Sequence, residues 1–145
     1  MAGYSGTPLP QKLGLKPNFK VGLPHLPADI QKELRSALVE CDIATTGAVP
    51  LDFVINFVTS ERELKESFST WSQRLNPAGM LWIAWPKKSS AVKTDLDENK
   101  IRDIGLAAGL VDVKVCAVSE VWSGLKFVIR VKDRAARGGK TVAGR

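Results

Sequence analysis

The sequence predicts a three-layer α/β domain whose mostly parallel sheet has about six strands and closes with an antiparallel hairpin. Three observations predict it. Phe53-Val-Ile-Asn-Phe-Val58 and Met80-Leu-Trp-Ile-Ala-Trp85 are nearly continuous apolar runs, the pattern of strands covered on both faces in a parallel sheet. Between them lies a helical repeat, with Leu64, Phe68, Trp71 and Leu75 on one face. Towards the end the pattern changes to strict alternation, which marks half-covered strands.

The elements follow in order. Residues 20–23 form a short apolar run flanked by Pro17 and Pro24 and read as a first strand. Residues 28–38 carry Ile30, Leu34, Ala37 and Leu38 on one helical face. Residues 41–45 read as a short second strand, and the run at 53–58 as the third. Ser60 stands three residues before Glu63, a capping box in which hydroxyl and carboxylate each satisfy a free backbone amide. The helix it opens is expected to end at Asn76-Pro77. The run at 80–85 is the fourth strand, stopped by Pro86. A polar loop at 87–93 leads to a second capping box, Thr94 with Asp97, ahead of a helix carrying Ile101, Ile104 and Ala108 and stopped by Gly109. Val111, Val113, Val115 and Ala117 then alternate with Asp112, Lys114 and Cys116, and Leu125, Phe127, Ile129 and Val131 with Lys126, Val128 and Arg130, and residues 119–124 turn between these strands. The sheet is therefore expected to finish antiparallel.

A chain of 145 residues holds one core, placed here in residues 1–131. Residues 132–145 form a basic tail, expected to be disordered and dispensable for folding. The net charge of +6 belongs to the ends: residues 132–145 hold five basic residues and one acid, and the first twenty hold three lysines and no acid. Weak contact of the tail with a polyanion is open, but nucleic acid is not the expected partner of the body. No stretch approaches the roughly 20 apolar residues of a membrane span, and the start lacks the charged and apolar regions of a secretory signal. A cytoplasmic protein is expected. The two cysteines, Cys41 and Cys116, read as reduced core thiols, and with a single histidine no metal site is expected.

Several segments carry a resemblance. Gly3-Tyr-Ser-Gly-Thr-Pro8, Phe57-Val-Thr-Ser60, Leu81-Trp-Ile-Ala-Trp-Pro-Lys-Lys88, Thr94-Asp-Leu96, Gly109-Leu-Val-Asp-Val-Lys-Val-Cys-Ala-Val118 and Glu120-Val-Trp-Ser-Gly124 resemble a bacterial family catalogued as domain of unknown function 3052. The order of elements resembles the class I methyltransferase variant of the Rossmann fold, which implies the spatial order second, first, third, fourth, sixth, fifth, with the last strand antiparallel. That resemblance implies a glycine-rich turn after the first strand to receive the cofactor, yet the turn here reads Leu23-Pro-His-Leu-Pro27. The cofactor is left unknown.

The candidate site is the segment Trp85, Lys87, Lys88, Ser89 and Ser90, because ligands of open α/β sheets bind beyond the carboxyl ends of the strands. Its lysines would face an anion as point charges and its hydroxyls would complete a cradle. The plainer reading is a solvated loop. Ser60 is explained by capping, His25 by its loop, and Asn56 needs hydrogen-bond partners if buried. Trp71 and Trp82 are expected in the core, whereas Trp122 and Tyr4 are candidates to cover the crevice or a partner surface. No acid/base set is visible, so no catalytic residue is assigned. The leading expectation is a non-catalytic module binding an anionic small molecule or a protein partner. Two alternatives stand beside it: an S-adenosylmethionine-dependent methyltransferase with an atypical cofactor loop, and a weak nucleic-acid binder acting through the tail.

Overall fold

A computed structural model describes residues 6–44 and 50–135. Its sheet has six strands in the order β2-β1-β3-β4-β6-β5, the order implied by the methyltransferase-like resemblance. The strands are β1 (Lys20–Gly22), β2 (Asp42–Ile43), β3 (Leu51–Phe57), β4 (Leu75–Pro86), β5 (Leu110–Ala117) and β6 (Trp122–Ile129). β2, β1, β3 and β4 run parallel, and β6 lies antiparallel between β4 and β5. Helices α1 (Leu9–Leu13) and α2 (Ala28–Leu38) cover one face, and α3 (Glu61–Gln73) and α4 (Glu98–Ala107) cover the other.

Both faces of the central strands are buried, and this is why β3 and β4 read as continuous apolar runs. Phe53, Ile55 and Phe57 face α1 and α2 with Leu13, Ile30, Leu34 and Trp82. Val54 and Val58 face α3 and α4 with Leu64, Phe68, Ile101 and Phe127. The rings of Phe68 and Phe127 meet edge-on, 5.4 Å between centroids, a preferred aromatic geometry.

The expected boundaries move in several places. The helical repeat ends sooner than Asn76-Pro77: α3 stops at Gln73, and Leu75 opens β4 instead of closing the helix. Asn76-Pro77 instead makes a bend within β4, where the register with β3 jumps from Leu51↔Leu75 to Phe53↔Met80. The Asn76 amide donates to Asp52 Oδ1 at 2.6 Å, and at Gly79 a Cβ would stand 2.7 Å from the Leu51 carbonyl oxygen. Only glycine allows that approach. Thr94 does not cap α4; Asp97 does, accepting from the Lys100 amide at 2.8 Å, while Thr94 Oγ1 accepts from the Leu96 amide within the loop. β6 begins at Trp122, so that residue is a strand residue paired with Pro86 and not part of the turn.

Two further corrections concern faces. The alternating valines of β5 were expected to face inward, but Val113 and Val115 are 54% and 50% exposed. A bulge between Asp112 and Lys114 shifts the register on this edge strand, and bulges of this kind protect edges from pairing with other chains. Val131 is likewise exposed, because β6 ends at Ile129 and residues 131–135 form a helical turn. There Arg130 pairs with Asp133, and Arg134 Nε donates to the Ile129 carbonyl at 2.9 Å. The rest of the basic tail, 136–145, lies outside the described residues, as do Tyr4 and the end of the second-strand segment at Thr45. Among the described residues no helix is long and apolar enough to cross a membrane.

Candidate functional site

The carboxyl ends of β1, β3 and β4 open on one edge of the sheet, and each is followed by a turn whose backbone is heavily used. After β3, Ser60 caps α3 by accepting from the Glu63 amide at 3.1 Å. Glu63 returns to the Thr59 amide at 2.9 Å rather than to Ser60, so the capping box is displaced by one residue. The Glu61 amide donates to Asp95 Oδ1 at 2.8 Å. The first turn of α3 is thus occupied by the chain's own oxygens, and Asp95, overlooked in the sequence, ties the loop after β4 to that helix. Only the tertiary approach of residues 34 apart reveals it.

After β4 the candidate residues separate. Trp85 is buried in the core on the α3/α4 face, in the same cluster as Leu96, and both faces of β4 are covered to its end. The Lys87 amide donates to the Val121 carbonyl at 2.7 Å. Ser90 Oγ donates to the Lys87 carbonyl at 2.8 Å and accepts from the Val92 amide at 3.3 Å, so its hydroxyl closes the loop on itself. Lys88 and Ser89 are exposed and Lys87 partly so. These three side chains are what the loop presents to solvent. Among the described residues no carboxylate pairs with either lysine.

Trp122 packs from β6 against the end of β3: its ring and that of Phe57 meet at 89°, 5.1 Å between centroids. The aromatic that was a candidate to cover the crevice or a partner surface is thus packed against the sheet on the α1/α2 face. Asn56 is buried on the opposite face, where its amide donates to Ser67 Oγ at 2.9 Å and its carbonyl oxygen has no partner. That contact joins β3 to α3 and satisfies half of what burial demands.

After β1 the turn at 23–27 carries a left-handed residue, as a tight strand-to-helix turn requires, but the residue is His25, with φ 58°. Histidine tolerates this conformation better than most side chains, though glycine adopts it freely. Pro24 and Pro27 flank it and offer no N–H, and Pro27 stands at the N-cap of α2 without a side-chain cap. His25 is exposed. Cys41 and Cys116, expected in the core, are only partly buried. Cys41 Sγ lies 3.4 Å from the Lys16 and Ala37 carbonyls. Burial pushes both thiols above their ordinary range. Among the described residues no group of metal-ligating side chains comes together.

No family model matches the chain, and no curated protein matches it. Solved structures do. Magnesium protoporphyrin IX methyltransferase from Synechocystis PCC 6803 with bound SAH superposes with a TM-score of 0.55 at 12% identity, covering 83% of this chain and 78% of that one. Precorrin-6y C5,15-methyltransferase from Geobacter metallireducens GS-15 gives 0.54 at 11% identity, over 83% and 85%. A SAM dependent methyltransferase from Aquifex aeolicus gives 0.53 at 16% identity, over 81% and 85%. At such identities the likeness concerns the fold.

That fold implies an adenosyl cofactor, and the residues present do not fit one. Doubly wound folds bring ligand against bare backbone at a glycine turn after the first strand, and hold the ribose by an acidic side chain beyond the second. Here the turn is Pro24-His25-Leu26-Pro27, with a side chain at its left-handed position and N–H groups missing at two of four residues. The segment that follows β2, from Ala44 to Pro50, contains no acid. The chain has the class I, SAM-methyltransferase-like Rossmann fold without the turn by which such a fold receives its cofactor.

Proposed function

We propose that this chain is a non-catalytic binding module on a methyltransferase-like scaffold, taking an anionic ligand at the rim formed by Lys87, Lys88 and Ser89. The observation that carries the reading is the turn after β1, where His25 holds the left-handed position between two prolines. A fold that keeps its six strands while its first turn offers neither glycine nor a full set of amides is suited to recognition rather than methyl transfer. The rim supports the ligand class: two lysines without carboxylate partners stand beyond the carboxyl end of a central strand, where open sheets bind ligands.

Calorimetric titration with adenosylmethionine and with its demethylated product tests the first half of the reading; no saturable heat is expected, and saturation by either compound overturns it. A thermal-shift screen over phosphorylated metabolites tests the second half. The double substitution Lys87→Ala with Lys88→Ala is expected to abolish the shift given by a hit while leaving the unliganded melting temperature nearly unchanged. If the double variant responds to every anion as the wild type does, the rim is only a solvated loop.

A further inference from the structure

A second set of cations gathers elsewhere, on the sheet face beside α1. Lys114 of β5 and Lys126 of β6 are direct partners across the antiparallel ladder. Like charges placed directly opposite in this way are destabilising. Lys126 also pairs in register with Trp82 on its other side, and its Nζ lies 4.0 Å from the position a Cβ would take on Gly14, at the end of α1. Lys126 is partly buried. Desolvation, then the charges of Lys114 and Lys16, lower its proton affinity from the ordinary lysine value.

One structural role accounts for part of this cluster. Lysines near a helix C-terminus take up its last carbonyls, and Lys114 Nζ donates to the Lys12 carbonyl at 3.0 Å. The other carbonyls of α1 are already taken: Leu13 by the Trp82 indole at 2.9 Å, Gln11 by the Gly14 amide and Pro10 by the Leu15 amide. Fastening α1 therefore explains Lys114 and leaves Lys126 over. Among the described residues its ammonium has no hydrogen-bond or ion-pair partner. A partly buried lysine facing a like charge costs stability. An oxyanion bound between Lys126 and Lys114 would reverse that cost.

We propose that Lys126 and Lys114 form a binding site for a compact phosphoryl oxyanion on the α1 face of the sheet, independent of the rim at Lys87 and Lys88. The aromatic next to it, Trp82, is fully buried between the sheet and α1, so its ring offers no face on which a nucleobase stacks. Flexible ammonium groups bind phosphate as point charges, which suits a small, highly charged group.

The experiment compares inorganic pyrophosphate with sodium chloride at equal ionic strength, reading the melting temperature and the rate at which each lysine is acylated by an N-hydroxysuccinimide ester. Pyrophosphate is expected to raise the wild-type melting temperature by at least about 3 °C over chloride. Lys126→Met, which keeps the apolar stem, is expected to lose that increment, and Lys87→Ala with Lys88→Ala to retain it. In the unmodified protein pyrophosphate should slow acylation of Lys126 severalfold while leaving Lys32 and Lys65, exposed on α2 and α3, unprotected. The acylation arm needs no variant. A wild type that responds to pyrophosphate no more than to chloride, an increment that survives Lys126→Met, or one lost only with Lys87 and Lys88 overturns the proposal. The last result would favour the rim instead, so the two sites fail separately.

Discussion

A Cβ placed on Gly105 would stand 2.0 Å from Cε1 of Phe127, so α4 lies on β6 with no room for a side chain between them. Phe127 cannot retreat, because it is fully buried and its ring is held edge-on by Phe68. Gly105→Ala is therefore expected to destabilise the protein by about 1–3 kcal/mol, the usual result of overpacking, although alanine is the better helix former by about 1 kcal/mol. Urea unfolding measures it. Adding Phe127→Leu should recover part of the loss, and a Gly105→Ala protein as stable as the wild type would contradict the packing described.

Trp82→Ala is expected to cost on the order of 3–5 kcal/mol and Trp122→Ala clearly less. Trp82 is fully buried and its indole N–H donates to the Leu13 carbonyl at 2.9 Å. Trp122 is partly exposed at the mouth of the sheet and contributes mainly its edge-on contact with Phe57. Trp82→Phe separates the two parts of the Trp82 loss: it keeps an aromatic but leaves a buried carbonyl unpaired, for about 1–3 kcal/mol. Equal losses for the two alanine variants in urea would count against this assignment.

Ser60→Ala removes the cap on the Glu63 amide and is expected to lower stability by about 0.5–2 kcal/mol. Asp95→Ala frees the Glu61 amide and detaches the loop after β4 from α3. Its signature is local: proteolytic cleavage within residues 87–97 should accelerate more than global unfolding does. Cleavage unchanged in Asp95→Ala would mean that the loop is held by other contacts.

Burial raises both thiol pKa values, which favours the neutral thiol over the nucleophilic thiolate at neutral pH. At Cys116 the positive charges of Lys12 and Lys114 oppose the burial effect without overcoming it. Iodoacetamide is expected to alkylate Cys41 and Cys116 of the folded protein at least about tenfold more slowly than the urea-unfolded chain at pH 7.5. The folded-state rate should climb as pH rises towards the raised pKa values. Mass spectrometry of the two peptides reads each site, and a folded thiol as reactive as the unfolded one contradicts the assignment.

Much of the architecture was legible in the residues. The runs at 53–58 and 80–85 are apolar because helices cover both faces of β3 and β4, and the alternation of Leu125, Phe127 and Ile129 marks the buried face of β6. The helix α1 was not legible. Leu9-Pro-Gln-Lys-Leu13 is too short and too poor in helix formers to persist alone; it forms because Leu9 and Leu13 are buried and the Trp82 indole takes the Leu13 carbonyl. The orientation of β5 was misjudged for a related reason, since a bulge against β6 exchanges its faces and leaves no mark in the alternation of valines.

The candidate rim was legible only in part. Position after a central strand pointed to Lys87, Lys88 and Ser89, but burial of Trp85 and the closed hydrogen bonds of Ser90 depend on what packs against them. By itself the sequence determined the alternation of strands and helices and the missing glycine turn, because periodicity and residue type act over a few neighbouring positions; the strand order followed from the resemblance of the element order to a methyltransferase-like fold. Only the tertiary structure decided that His25 takes the left-handed turn position, that Asp95 caps a helix 34 residues earlier, and that Lys114 and Lys126 face each other beside the end of α1. Lys114 reaches the Lys12 carbonyl, 102 residues earlier, only through the docking of α1 on the sheet, and no local pattern encodes that approach.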